Sequence, residues 1–248
     1  MSDYRLMFAE KDRMCRCNYT ILREEFAEHG IDPGEVIKSR ALACNDGTSW
    51  WVDKAAFYPT GVALGCSLPD AAFSNILFQA TNAVAQAIEP FLQAGQAHFS
   101  FVPESGYHVT LVNYSHFDCA ETSEQVVLMD TPALCKVKEY FQRVRHPMPR
   151  IQFKGLILTR SGRLIVPGYA VDITAFAIRA DLAKLNPRFE TNLPKTLHIK
   201  LGHFLRNLNP GSQDQCLEIL DEIGAQIDST LAFGEVFTPL EVLREIFS

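Results

Sequence analysis

The chain has 248 residues, 47% of them hydrophobic and 21% charged, with a formal net charge of −6 at pH 7. These proportions are those of an ordinary globular protein, and no apolar run approaches the roughly 18 residues that would span a bilayer, so no membrane partner is expected. The negative balance argues against a long nucleic-acid tract as the main partner, and the seven cysteines, odd in number and scattered, read as free thiols in a reducing cytoplasm.

Residues 1 to about 40 read as a helical preface. Tyr19 to Phe26 has helical apolar spacing, His29-Gly30 reads as a stop, and Ile31-Asp32-Pro33-Gly34 is a turn. The start, Met1-Ser2-Asp3-Tyr4-Arg5, lacks an apolar signal core, which fits a cytoplasmic location. Asn45-Asp46-Gly47-Thr48 is a second turn, and Trp50 and Trp51 after it read as packing residues. Residues 1–58 are thus expected to form an N-terminal helical extension without chemistry of its own, followed by a core over 60–248.

The core opens with a strand, Gly61 to Leu68, and a helix capped by Asp70 with an apolar stripe from Phe73 to Leu92. A strand over Ala97–Val102 and a turn over Pro103–Gly106 lead into a strand from His108 to Tyr114. Thr122 to Thr131 shows no clear pattern, and a helix is expected from Pro132 to Val144. Ile151–Thr159 and Arg163–Val166 make a hairpin around Arg160-Ser161-Gly162, which Pro167-Gly168-Tyr169 leaves. Asp172 caps a helix that Asn186-Pro187 ends. Then come a strand over Thr196–Leu205, a helix over Gly211–Ser229 and a final strand over Gly234–Val242. The order strand, helix, strand, histidine strand, helix runs once from Val62 to about Val144 and again from Ile151 to about Ser229. Neither half carries a Walker loop or a G-x-G-x-x-G run.

Two stretches stand out. In Tyr107-His108-Val109-Thr110-Leu111, strand alternation puts His108 and Thr110 on one face and Val109 and Leu111 in the core. In Leu197-His198-Ile199-Lys200-Leu201, His198 and Lys200 share a face in the same way, ninety residues later. Straight alternation puts His203 on the opposite face, and His116 shares parity with His108 but lies far along the strand. The second stretch lies in a basic region. Tyr140 to Gln213 holds twelve Lys or Arg against three acids, a net of +9 that leaves −15 for the rest. Such a region is either a solvated face or a positive potential over a small anionic ligand.

Two His-x-polar strands in an approximate duplication resemble the two-histidine (2H) phosphoesterase superfamily, whose pattern is His, any residue, Thr or Ser, then an apolar residue, twice. His108-Val109-Thr110-Leu111 matches it throughout, and His198-Ile199-Lys200-Leu201 departs from it at Lys200. The resemblance covers roughly residues 60 to 245 and is nearest to a bacterial branch with an RSG-type hairpin, here Arg160-Ser161-Gly162. It implies an α+β fold: two pseudo-symmetric lobes of antiparallel sheet with outer helices around a central groove. It also implies a metal-independent phosphodiesterase, without cofactor, acting on a small cyclic phosphate such as a 2′,3′-cyclic nucleotide or RNA end.

The chemistry agrees with that implication. In-line opening of a phosphodiester needs a base on the water and an acid on the leaving oxygen, on opposite sides of phosphorus. Histidine suits both roles, with an ordinary pKa of about 6.5. Thr110 and Lys200 are the candidate donors to the phosphate oxygens, and Tyr114 and Tyr169 are candidate stacking surfaces in the groove. An ammonium beside His198 would favour its neutral form, making it the base and His108 the acid. Two other classes remain open. One is a non-catalytic binder of nucleotides or phosphorylated metabolites, since Lys200 replaces the hydroxyl. The other is a metal hydrolase built on His108, His116, His198 and His203, although no acid lies between Thr191 and Gln213 to complete such a site.

Overall fold

The computed structural model describes residues 2–41, 43–45, 50–52, 63–68, 70–95, 98–113, 136, 139–140, 143, 147, 149–185 and 196–233. Helices α1 (Ser2–His29) and α2 (Pro33–Ala41) precede a small hairpin of β1 (Ala43–Asn45) and β2 (Trp50–Val52). Then follow β3 (Ala63–Ser67), α3 (Ala71–Ile88), β4 (Phe99–Phe101), β5 (His108–Asn113), β6 (Arg150–Lys154), β7 (Ile157–Leu158) and β8 (Arg163–Ala170). The described part ends with α4 (Thr174–Leu185), β9 (Leu197–Phe204), α5 (Gln213–Gly224) and β10 (Asp228–Ala232). The fold is α+β. Strands β3 to β10 form one antiparallel sheet in the order β10-β6-β8-β9-β5-β3, with β4 also on β9 and β7 also on β8. The two histidine strands, β5 and β9, are neighbours in the middle of this sheet.

Local chemistry accounts for the elements that position them. Asp70 caps α3 by accepting from the N–H groups of Ala72 at 2.8 Å and Phe73 at 3.2 Å. The α3 stripe Phe73, Leu77, Val84 and Ile88 is buried, and the Phe73 ring lies 5.8 Å from that of Phe153. Phe153 registers with Gly168, so α3 covers the sheet face opposite to Pro167 and Tyr169. Gly162, at φ +79°, closes the turn between β7 and β8, with its N–H bonded to the Thr159 carbonyl at 2.8 Å. Helix α1 is far longer than its apolar core suggests. Cys15, Tyr19 and Phe26 fall on one face and are buried against the rest of the protein. Burial of the Phe26 ring alone contributes roughly 2–3 kcal/mol.

Three expectations need correction. The C-terminal helix ends at Gly224, and Asp228–Ala232 is a strand on β6, because the chain turns back at Ile227, whose carbonyl accepts from Gly155. The stretch Pro167-Gly168-Tyr169 does not leave the hairpin but continues β8; Pro167 falls between the residues that pair with β7 and those that pair with β6, where its missing N–H breaks neither ladder. The expected single strand over Ile151–Thr159 breaks at Gly155, φ +76°, into β6 and β7. The expected strand over Gly234–Val242, and most of the helix expected over Pro132–Val144, lie outside the described residues.

Two stretches share the order strand, helix, histidine strand: β3-α3-β5, with β4 between α3 and β5, and β8-α4-β9. Both outer pairs carry a bulge at the same place. On β5, Leu64 registers with Val112 and Gly65 with Thr110, leaving Leu111 unmatched. On β9, Leu164 registers with Gly202 and Ile165 with Lys200, leaving Leu201 unmatched. Leu111 and Leu201 follow their histidines by the same three residues.

Candidate active site

Strands β5 and β9 register at Val109↔Ile199. Antiparallel pairing then sets His108 opposite Lys200 and Thr110 opposite His198, with Cβ atoms about 5 Å apart. The two histidines are diagonal neighbours, their Cβ atoms about 7 Å apart. Val109 and Ile199 are fully buried behind them, whereas His108, Thr110, His198 and Lys200 are half-buried. The four candidates therefore converge on one face.

Each histidine is oriented from the residue two places before it. His108 Nδ1 lies 2.8 Å from the Gly106 carbonyl, which can only accept, so Nδ1 carries the proton and Nε2 is left for chemistry. His198 Nδ1 lies 2.9 Å from Thr196 Oγ1. The Gly106 carbonyl is available because of how β9's edge is shared. Phe99–Phe101 pairs with Phe204–Gly202, and the register then jumps by five residues before Val109 meets Ile199. The inserted excursion, with its 3-10 turn over Glu104–Gly106, brings that carbonyl to the imidazole.

On the other side of the bridge, Arg179 from α4 ties the two strands together. Its Nε donates to the Leu111 carbonyl at 2.7 Å, and one terminal nitrogen donates to the carbonyls of Thr110 at 3.0 Å and Thr196 at 2.9 Å. One buried guanidinium thus satisfies carbonyls of both histidine segments, including the residue that holds His198.

His203 is on the histidine face, contrary to the alternation argument. The unmatched Leu201 reverses the parity of β9, so the half-buried positions run 198, 200, 203. His203 registers with Arg163 on β8. The proximity of these side chains also shows in the direction in which they shift one another. Burial, then Arg163, Arg179, His108 and Lys200, push His198 down to about 4. Burial, then Lys200 and Arg163, push His203 down to about 2, against a Ser161 backbone bond that favours its charged form. Burial and then Arg163 bring Lys200 down to about 8. His108 is lowered by burial and by Lys200, with the Gly106 carbonyl working the other way. Every charged neighbour named here is basic; among the described residues, no carboxylate contributes to any of the four shifts.

Helix α1, which sequence reasoning left without a role, borders this face. The buried Tyr19 hydroxyl donates to the Leu197 carbonyl, next to His198, and accepts from the Gly168 N–H at 3.1 Å. Tyr169 shares the face of Pro167, which registers with His198. The Tyr169 ring is packed edge-on by Tyr19, with centroids 5.4 Å apart, and covered by the Arg16 guanidinium at 4.7 Å. It lines a cavity of about 410 Å³ together with Arg16, Tyr19, Lys154 and Pro167. Tyr114 and His116 lie outside the described residues. Among the described residues, no group of three or more His, Cys, Asp or Glu side chains is placed to hold a metal ion. Nor, among them, is any helix long and apolar enough to cross a membrane.

No protein-family model matches this chain, and no curated protein does. Among solved structures, it is similar to a conserved protein of unknown function, ATU0111 from Agrobacterium tumefaciens, with 13% identity and a TM-score of 0.49 over 84% of this chain and 98% of that one. It is also similar to TT0787 of Thermus thermophilus, with 15% identity and a TM-score of 0.40 over 71% of this chain and 82% of that one.

Proposed function

We propose that the protein is a metal-independent phosphodiesterase that opens a small cyclic phosphodiester, such as a 2′,3′-cyclic nucleotide or RNA end, by acid-base catalysis between His108 and His198. The observation that carries this reading is the register. Two imidazoles on adjacent strands share one face, each anchored through Nδ1, with basic side chains and, among the described residues, no acid acting on them. Both imidazoles are held neutral by burial and nearby cations; His198, whose Nδ1 faces a hydroxyl rather than a carbonyl that would stabilise the imidazolium, suits the base that takes the proton of the attacking water. His108 suits the acid that protonates the leaving ribose oxygen, since the Gly106 carbonyl stabilises the imidazolium and a bound anion raises its pKa further. As the new P–O bond forms and the ring P–O bond breaks, Thr110 and Lys200 face the equatorial oxygens.

The test is turnover of the four nucleoside 2′,3′-cyclic monophosphates, with and without EDTA. Activity is expected to persist in chelator and to fall by about a thousandfold or more in each of His108→Ala and His198→Ala, as removal of an acid or a base does. The acidic limb of the pH–rate profile should disappear in His198→Ala and the basic limb in His108→Ala. Unaltered turnover in either variant, or loss of the same limb in both, sinks the assignment. Tight binding with no turnover in the wild type replaces the diesterase with a binder of phosphorylated metabolites, the reading that Lys200 in place of a hydroxyl favours.

A further inference from the structure

The charges on this face extend beyond the pair that a diesterase requires. Elsewhere on the surface, basic side chains close on acids: Arg23 on Asp221 at 2.6 Å, Arg160 on Asp32 at 3.1 Å, Lys184 on Asp181 at 2.9 Å and Lys154 on Asp228 at 3.4 Å. Among the described residues, neither Arg163 nor Lys200 has such a partner. Arg160, three residues earlier in the same turn, takes the nearby Asp32, whereas Arg163 stands opposite His203 and acts electrostatically on His198, Lys200 and His203.

A face that gathers cations without neutralising them selects anions. The histidine pair and Lys200 account for one phosphate. The Leu201 bulge turns the next stretch of β9 onto the same face, and His203 with its partner Arg163 lies about 10 Å along the strand from Lys200. His203 is held neutral between the two cations and forms floor rather than charge. The free guanidinium fork of Arg163, at the exposed rim, matches phosphate geometry.

We propose that Arg163 forms a second phosphate subsite beside the one that the histidine pair and Lys200 supply, so that the preferred ligand carries a 5′-phosphoryl group in addition to the reacting cyclic phosphate. This rests on the diesterase reading for the identity of the reacting group but not for the existence of the subsite. The ligand class is a nucleoside 2′,3′-cyclic phosphate phosphorylated at its 5′ oxygen, either as a monoester or through the linkage to a preceding nucleotide.

Two measurements keep the subsite and the catalysis separable. The first compares kcat/KM for adenosine 2′,3′-cyclic phosphate, its 5′-phosphorylated form and the dinucleotide ApA ending in a 2′,3′-cyclic phosphate. The wild type is expected to prefer at least one of the latter two by about tenfold, the scale of one charge-assisted contact. Arg163→Gln should bring that ratio close to one, and Arg163→Lys should restore part of it. Preference for the monoester identifies a mononucleotide, and preference for the dinucleotide identifies an RNA end. The second measurement is calorimetric binding of adenosine 3′,5′-bisphosphate against adenosine 3′-monophosphate, which needs no turnover. An Arg163-dependent preference for the bisphosphate supports the subsite even if neither cyclic compound is hydrolysed. Equal binding of the two, or a preference unchanged in Arg163→Gln, overturns it.

Discussion

Lys200→Met tests the electrostatics of the site without reference to any substrate. The substitution keeps most of the stem and removes an ammonium for which the described residues provide no acid. Burial, and then Arg163, lower the Lys200 amine from 10.5 to about 8, a difference worth about 3 kcal/mol between charged and neutral forms. The folded-state value lies below the unfolded one, so between about 8 and 10.5 the unfolded chain holds a proton that the folded chain has released. Stability therefore rises with pH through that window, and the full cost of the charge is present below pH 8. After allowing for partial solvation, Lys200→Met should stabilise the ligand-free protein at pH 7 by about 2 kcal/mol. For a chain of this size the midpoint then rises by roughly 4–8 °C. Calorimetric melts and urea titrations at pH 7 and pH 10.5 measure this. The advantage should be full at pH 7 and nearly gone at pH 10.5, while inorganic phosphate should raise the wild-type midpoint more than that of the variant. A variant less stable at pH 7, or an advantage independent of pH, would refute the reasoning.

Acid should weaken the fold through the same residues. His198 and His203 lie below their ordinary 6.5, at about 4 and about 2, so the unfolded chain takes up protons first as pH falls. The stability they contribute is complete above pH 6.5 and declines from there, through about pH 4 for His198 and further for His203, and His203→Gln should flatten the midpoint's fall between pH 6.5 and 4. Arg179→Met leaves three carbonyls without their donor and should cost about 3 kcal/mol; because Thr196 loses its tether, kcat should fall more than KM rises, and unchanged kinetics in the folded variant would remove Arg179 as a positioning residue. A Cβ at Gly202 would stand 2.3 Å from the Phe99 ring and 2.5 Å from the Ser100 carbonyl. Gly202→Ala should therefore lose about 3 kcal/mol in urea titration, and near-neutral stability would show that β4 shifts freely.

What could be read in advance was periodic. The His-x-polar pairs, their shared faces, the Asp70 cap and the α3 stripe all follow from spacings of two and 3.6 residues, which the chain shows directly. His203 falls on the face opposite to the one alternation predicts because one unmatched residue, Leu201, shifts the period, and a bulge leaves no mark in a stretch such as Lys200-Leu201-Gly202. Arg179 was hidden for a different reason: in α4 it looks like an ordinary helix arginine, and its three acceptors are carbonyls, invisible to residue type. The role of α1 was missed likewise, since Tyr19 reads as packing until its hydroxyl is seen on the Leu197 carbonyl. The continuity of the sheet across the repeat depends on long-range pairing, on which element order is silent.

The two imidazoles differ in how mutation can reach them. His108 is oriented by a main-chain carbonyl, which almost any residue at position 106 supplies, so no single side-chain exchange there deletes the acceptor. His198 is oriented by a hydroxyl, which a one-base change from Thr196 to Ala or Ile removes. Sequence drift therefore acts unequally on the two imidazoles: it can reorient His198 in one step, while altering the hold on His108 requires rebuilding the length of the excursion before β5.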